Sequence, residues 1–303
     1  MKNLLQGAVL GHPIGHSKSP SLHNAAYQVL GAPFSYTAID IQVSELADFL
    51  GRVRSEGNWY GLSVTMPLKN AAVDLLDELS PVAAALGSVN TIVCTRKPDG
   101  GTHLRGDNTD VQGIVNALLH AGVRERPRAA ILGGGGTAVS AVAALAQLGA
   151  SEVVVFVRNP AKAADVMDVA AKVNLRSTLA PFEGAAEALA GFDVVISTLP
   201  PHGADVLAEA IAAQGKRLHG AVLLDVAYDP WPSALASAWQ GCAGTVVAGI
   251  EMLLYQGFAQ VKLFVQAGGY GTLATEKQGD VINVMCDAIG VDRRNPHEQN
   301  MAG

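Results

Sequence analysis

Four consecutive glycines, Gly133-Gly134-Gly135-Gly136, stand between the apolar run Arg128–Leu132 (RAAIL) and the Ala-rich, helically spaced run Thr137–Leu148 (TAVSAVAALAQL). A short buried strand that turns on glycine into a helix opens a βαβ unit. Gly149 follows as a residue suited to the left-handed helix terminus. Glu152–Val157 (EVVVFV) is continuous and β-branched, as a parallel strand covered on both faces should be. Asp193–Ser197 (DVVIS) and Ala221–Val226 (AVLLDV) repeat the pattern around a helical segment at Ala204–Ala213. Strands alternating with helices predict a Rossmann-type, doubly wound parallel sheet.

Within the turn, Gly133, Gly135 and Ala138 fit G-x-G-x-x-G/A. The first glycine permits the tight turn, the second lets backbone approach a pyrophosphate, and the small third residue packs helix on strand. The helix N-terminus then faces the anion. The same glycines would also suit a turn without a ligand. The next strand runs into Arg158-Asn159-Pro160, with Lys162 close behind and no carboxylate at the tip. An NAD site usually carries Asp or Glu there for the ribose hydroxyls, whereas a guanidinium recognises a 2′-phosphate. The charges predict NADP(H), against the plainer reading of two solvated cations at a helix start.

The first ~110 residues also read as α/β. Strands are expected at Gly7–Leu10, Ser35–Ile39, Tyr60–Val64 and Thr91–Cys94, and helices near Ser21–Leu30, Ser44–Val53 and Asn70–Leu79. Ser44 and Ser19 suit helix N-caps. The turns are polar: HPIGHSKSP, TMPLK, GSVNT and GDNTD. After Gly249, IEMLLYQGFAQVKLFVQ reads as one long helix with Gln256 and Gln260 on one face. The tail from Arg293 is expected to fray.

Lys and Arg number 21 against 27 Asp and Glu, a net charge of −6. That balance supplies no basic field for nucleic acid or anionic lipid, so neither nucleic acid nor membrane is an expected partner. Cys94, Cys242 and Cys286 are scattered and form no CxxC pair. They predict small buried residues in a reducing compartment. No run approaches the ~18 apolar residues of a membrane span, and the N-terminus lacks a secretory signal. A cytoplasmic location is expected. His12, His16 and His23 lack metal-ligand spacing, so no metal is expected.

Taken in order, the polar turns resemble the shikimate dehydrogenase family. GHPIGHSKSPSLHNAAY is similar to its opening G-x-P-I-x-H-S-x-S-P-x-x-H-N, GLSVTMPLK to G-x-N-V-T-x-P-x-K, LGSVNT to G-A-V-N-T, and GDNTDVQGI to G-x-N-T-D-x-x-G. ISTLP, DVAYDPWPSAL and GIEMLLYQ follow in the family's order. Ser63 stands where the family usually has Asn, which leaves the support of the Thr65–Lys69 turn open.

The resemblance implies NADPH-dependent, reversible reduction of 3-dehydroshikimate to shikimate in chorismate and aromatic amino-acid synthesis. Quinate/shikimate or aminoshikimate dehydrogenation is the alternative within the family, and a non-catalytic dinucleotide sensor is a remote third. Ser17 and Ser19 would take the substrate carboxylate. Thr65, Lys69, Asn90, Asp110 and Gln256 would meet the ring hydroxyls and reacting oxygen, with Tyr228 nearby. Lys69 is the acid–base candidate and Asp110 its catalytic companion. Gly133, Gly134, Gly135, Gly136, Thr137, Arg158, Asn159, Lys162, Thr198 and Gly249 would line the cofactor side. The expected division is a substrate domain of 1–110, onto which 250–303 packs back, and a dinucleotide domain of 111–249. A monomer or homodimer is expected.

Overall fold

The computed structural model describes residues 4–98 and 100–294. The chain opens with β1 (Leu5–Gly11), α1 (Ser19–Leu30), β2 (Phe34–Asp40), α2 (Val43–Glu56) and β3 (Trp59–Val64). Next come β4 (Glu78–Leu79), α3 (Pro81–Leu86), β5 (Thr91–Arg96) and β6 (Thr102–Asp107). A second series follows: α4 (Asp110–His120), β7 (Ala129–Leu132), α5 (Gly136–Gln147), β8 (Glu152–Val157), α6 (Ala164–Lys172) and β9 (Arg176–Pro181). It continues through α7 (Ala185–Ala188), β10 (Val194–Ser197), α8 (Asp205–Gln214), β11 (Val222–Asp225), α9 (Ala234–Gly241) and β12 (Thr245–Ala248). The long α10 (Gly249–Ala267) and α11 (Thr275–Ile289) close the chain.

Two compact units result. The described residues up to Thr109 join those from Gln256 onward, and Asp110–Tyr255 form the other. The first unit holds a six-stranded sheet in the order β2-β1-β3-β5-β6-β4. β1, β2 and β3 are parallel, while β5 runs antiparallel to both β3 and β6. Leu10, Leu46, Leu50, Leu62, Leu68, Ile92 and Leu104 fill one core cluster. An aromatic group of Tyr27, Phe34, Tyr36, Tyr60 and Phe264 gathers around His23. Helix α10 docks closely here: a Cβ on Gly61 would fall 2.3 Å from the Phe264 ring, so only glycine admits it.

The second unit is a wholly parallel sheet in the order β12-β11-β10-β7-β8-β9. β8 and β9 extend to one side of β7, and β10, β11 and β12 to the other. This is the doubly wound Rossmann order, with its switch point between β7 and β10. Leu132, Phe156, Val195, Leu223 and the fully buried Trp239 anchor a core cluster. The three cysteines are free and buried.

Several sequence expectations need correction. Asn70–Leu79 is not a helix but turns, a 3₁₀ segment at Val73–Leu75 and the strand β4. Ser19 is the first residue of α1 rather than its cap, and Lys18 before it offers no side-chain cap. Gln42, not Ser44, caps α2, in a capping box with Glu45. The expected frayed tail lies outside the described residues beyond 294. Arg293 and Arg294 are held, by Asp287 and by Asn283. Among the described residues, no helix is long and apolar enough to cross a membrane.

Candidate active site

In the first unit, strand direction brings the polar turns to one end of the sheet. β1 and β3 end there; β5 begins there because it is antiparallel, and β6 ends there in turn. Ser63 pairs with Thr91, and Thr91 with Asp107. Asn90 therefore sits beside the start of the Thr65–Lys69 turn. Backbone bonds fix that turn. Thr65 N–H donates to Leu10 O at 2.9 Å, Leu68 N–H to Thr65 O at 2.8 Å, and His12 N–H to Met66 O at 3.1 Å. Val89 N–H donates to Lys69 O at 2.9 Å, tying the lysine backbone to the Asn90 segment. A Cβ on Gly11 would fall 2.5 Å from Thr65 Cγ2, so the glycine makes room for the threonine.

Ser17 lies in the turn before α1, where its Oγ accepts from Ser19 N–H at 3.3 Å. Ser19 is buried at the helix start, and Lys69 is half-buried. Asn90 is the centre of the cluster. Its Oδ1 accepts from Thr91 Oγ1 at 2.7 Å and Thr109 N–H at 2.8 Å. Its Nδ2 donates to Thr109 Oγ1 at 3.0 Å and to Gln256 Oε1 at 3.3 Å. Ser63, in the usual Asn position, is bonded on both sides. Tyr36 donates its hydroxyl to Ser63, and Ser63 Oγ donates to Gln260 Oε1 at 2.7 Å. Ser63 is thus tied to β2 and α10, while the turn itself is held by the backbone bonds above. Thr109 and Gln260 are contributors the sequence reading left unassigned. The sequence signals for them are the GDNTD motif, which contains Thr109, and the helix face that Gln260 shares with Gln256.

In the second unit the remaining candidates lie at the carboxyl ends of the strands, except Asp110, which precedes the first of them. Asp110, directly after Thr109, is 4% exposed and starts α4, where its charge suits the helix dipole. Gly133 takes φ +102°, and a Cβ there would sit 2.7 Å from Thr198 Oγ1. Thr198 Oγ1 donates to Leu132 O at 3.0 Å, so Gly133 and Thr198 meet at the switch point. Gly135 is exposed, with no atom within 4 Å of a would-be Cβ, and Gly136 and Thr137 begin α5. Ala138, the third fingerprint residue, is wholly buried.

Arg158, Asn159 and Lys162 are exposed beyond β8. Arg158 Cζ lies 5.5 Å from the Phe182 ring centroid, and Asn159 caps the next turn by accepting from Ala161 N–H at 3.0 Å. A glycine turn packed at Gly133 and Gly134 and open at Gly135, at a helix N-terminus with a guanidinium and an ammonium at the neighbouring strand tip, fits a dinucleotide bearing an extra ribose phosphate. Tyr228 follows β11, where burial raises its phenol above the ordinary value. Asp225, which ends β11, is raised by burial and accepts from Ser233 Oγ at 2.6 Å. Gly249 is dictated by packing, since a Cβ would fall 2.1 Å from Val226 O. Among the described residues no group of three His, Cys, Asp or Glu could hold a metal.

Comparison with known proteins gives two matching family models. "Shikimate dehydrogenase substrate binding domain" matches residues 9–92, and "Shikimate / quinate 5-dehydrogenase" matches 117–230. A "Shikimate dehydrogenase (NADP(+))" from Methanothermobacter thermautotrophicus is 33% identical over 84% of this chain and 89% of its own. A pentafunctional AROM polypeptide of Yarrowia lipolytica is 34% identical over 84% of this chain, which spans 16% of that far longer protein. The crystal structure of Mycobacterium tuberculosis shikimate dehydrogenase superposes with TM-score 0.79 at 39% identity, covering 94% of this chain and 99% of that one. The Thermus thermophilus shikimate 5-dehydrogenase, solved with NADP(H) and shikimate, gives 0.74 at 28% identity, covering 94% and 99%.

Proposed function

The chain belongs to the shikimate dehydrogenase family, and on that premise we propose that it interconverts 3-dehydroshikimate and shikimate with NADP(H), in chorismate and aromatic amino-acid synthesis. The observation that carries this reading is the buried amide pair Asn90 and Gln256, held at the sheet end that also bears Ser17, Ser19, Thr65 and Lys69. Such a cluster of fixed donors and acceptors suits a small polyhydroxylated acid.

When bound, the nicotinamide supplies or accepts the hydride. The side chains do the rest. Ser17 and Ser19 meet the substrate carboxylate with hydroxyl donors at the start of α1. Thr65, Asn90, Asp110 and Gln256 read the ring hydroxyls, and Tyr228, kept protonated by its raised phenol, offers a further donor. Lys69 Nζ stabilises the oxyanion and gives it a proton in reduction, then takes the proton back in oxidation. The amides of Gly133–Thr137 receive the pyrophosphate, Arg158, Asn159 and Lys162 the 2′-phosphate, and Thr198 and Gly249 flank the nicotinamide side. The free, buried cysteines suit the cytoplasm, and a monomer or homodimer is the proposed assembly.

The test is oxidation of shikimate, quinate and aminoshikimate, each with NADP⁺ and with NAD⁺. The highest kcat/KM is expected for shikimate with NADP⁺; turnover of none of the three would overturn the reading. The matched "Shikimate / quinate 5-dehydrogenase" description keeps a second reading in view, and a preference for quinate would select it. Lys69→Ala should lower kcat by about 10²–10⁴ with a modest change in KM, as loss of an acid–base group does.

A further inference from the structure

Gln260 is 1% exposed and lies one turn along α10 from Gln256. Its carboxamide is used at both ends. Nε2 donates to Thr91 Oγ1 at 2.9 Å and to Asn90 O at 3.2 Å. Oε1 receives Ser63 Oγ at 2.7 Å and His23 Nε2 at 3.2 Å. Ser63 and Thr91 are register partners on β3 and β5, so one amide bridges the two strand ends that carry Thr65 and Asn90.

The polarity of this bridge is set throughout. A peptide oxygen only accepts, so Asn90 O obliges Nε2 to face it and Oε1 to face the other way. His23 must then carry its proton on Nε2, leaving Nδ1 to accept from Tyr27 hydroxyl at 3.0 Å. Tyr36 donates to Ser63, so Ser63 donates onward to Gln260. Thr91, accepting from Gln260, turns its own proton to Asn90 Oδ1. With Oδ1 so engaged, the Asn90 Nδ2 protons point at Thr109 and Gln256.

We propose that Gln260 is a positioning residue for the substrate: it never touches the ring but, through Thr91 and Ser63, holds Asn90 and Thr65 in their hydroxyl-reading orientation. The inference rests on the dehydrogenase reading above. A residue that only docked α10 would change stability, or both Michaelis constants together; a positioning residue changes recognition of the substrate alone.

The test is steady-state kinetics of shikimate oxidation by the wild type, Gln260→Met, Thr91→Val and the double variant, with thermal unfolding of each. Gln260→Met keeps side-chain length and removes both polar ends. It should raise the KM for shikimate about tenfold, the size of one misaligned hydrogen bond, and leave the KM for NADP⁺ within about twofold. Thr91→Val should do the same to a lesser degree. The double variant should fall short of the sum of the two single effects, because the Gln260–Thr91 contact is cut twice. An unchanged KM for shikimate in folded Gln260→Met, equal rises in both constants, or full additivity would overturn the proposal. If Gln260→Met does not fold, Thr91→Val decides, and an unchanged KM for shikimate there overturns it. A wild type without turnover removes the functional reading and this inference with it, whereas an active wild type with an indifferent Gln260→Met removes only the inference.

Discussion

Arg158 illustrates what a single side chain can disclose. It follows the β-branched strand β8, no acid stands between Val157 and Lys162, and its guanidinium lies over Phe182. A planar fork over an aromatic ring suits the bidentate phosphate contact proposed for it above. A charge-assisted hydrogen bond contributes about 1.5–3 kcal/mol, or roughly ten- to a hundredfold in binding. Arg158→Ala should therefore raise the KM for NADPH by about that factor and leave the KM for NADH almost unchanged. Steady-state kinetics with both cofactors checks it, and an unaltered preference would remove Arg158 from 2′-phosphate recognition. The charge pattern around Arg158 is legible in the chain because it depends on nearest neighbours alone. That of Ser63 is not: its partners, Tyr36 and Gln260, lie 27 and 197 residues away in sequence.

Among elements, those with strong local signals were legible and those defined by pairing were not. Continuous apolar strands such as β7, β8, β10 and β11 and the Ala-rich α5 announced themselves. β6, β9 and β12 did not: β9 (RSTLAP) and β12 (TVVA) are the two edge strands of their sheet and lack a continuous apolar run of the central strands' kind. Asn70–Leu79 carries helical spacing, yet tertiary contacts override it. Leu68 and Ala72 are drawn into the core, and Asp77 N–H and Ser80 N–H donate to Leu104 O and Gly106 O, which makes β4 a strand beside β6. The joint between β12 and α10 is set by Gly249, whose absent Cβ leaves room for Val226 backbone. Because backbone cannot swing aside, Gly249→Ala should destabilise by about 1–3 kcal/mol or more, as overpacking does. It should also weaken NADP⁺ binding by displacing the end of β11 that precedes Tyr228. Denaturant unfolding and cofactor titration check both effects, and a variant indistinguishable from wild type in each would contradict the packing argument.

For the molecule as a whole, the two units should answer acid differently. In the first, burial pulls the wholly buried His23 imidazole from 6.5 down to about 3. The folded form thus stays neutral where the unfolded form gains a proton. Its stability is intact above about pH 6.5 and falls as the pH drops toward 3, by roughly 1.4 kcal/mol per unit. Between pH 6.5 and 5 this amounts to about 2 kcal/mol. The second unit has no equivalent among its described residues, since His120, His202 and His219 are exposed. Its buried Asp225 works in the opposite sense: the raised carboxyl carries a cost above its folded value that protonation relieves on acidification. Hydrogen exchange at pH 7 and pH 5, corrected for intrinsic rates, should therefore show protection lost from β1–β3, α1 and the part of α10 from Gln256 onward while the Asp110–Tyr255 sheet keeps its own. His23→Gln, which retains a donor for Gln260, should flatten the response of the first unit. Equal loss of protection in both units, or an undiminished response in His23→Gln, would show that the buried imidazole does not govern the acid limit.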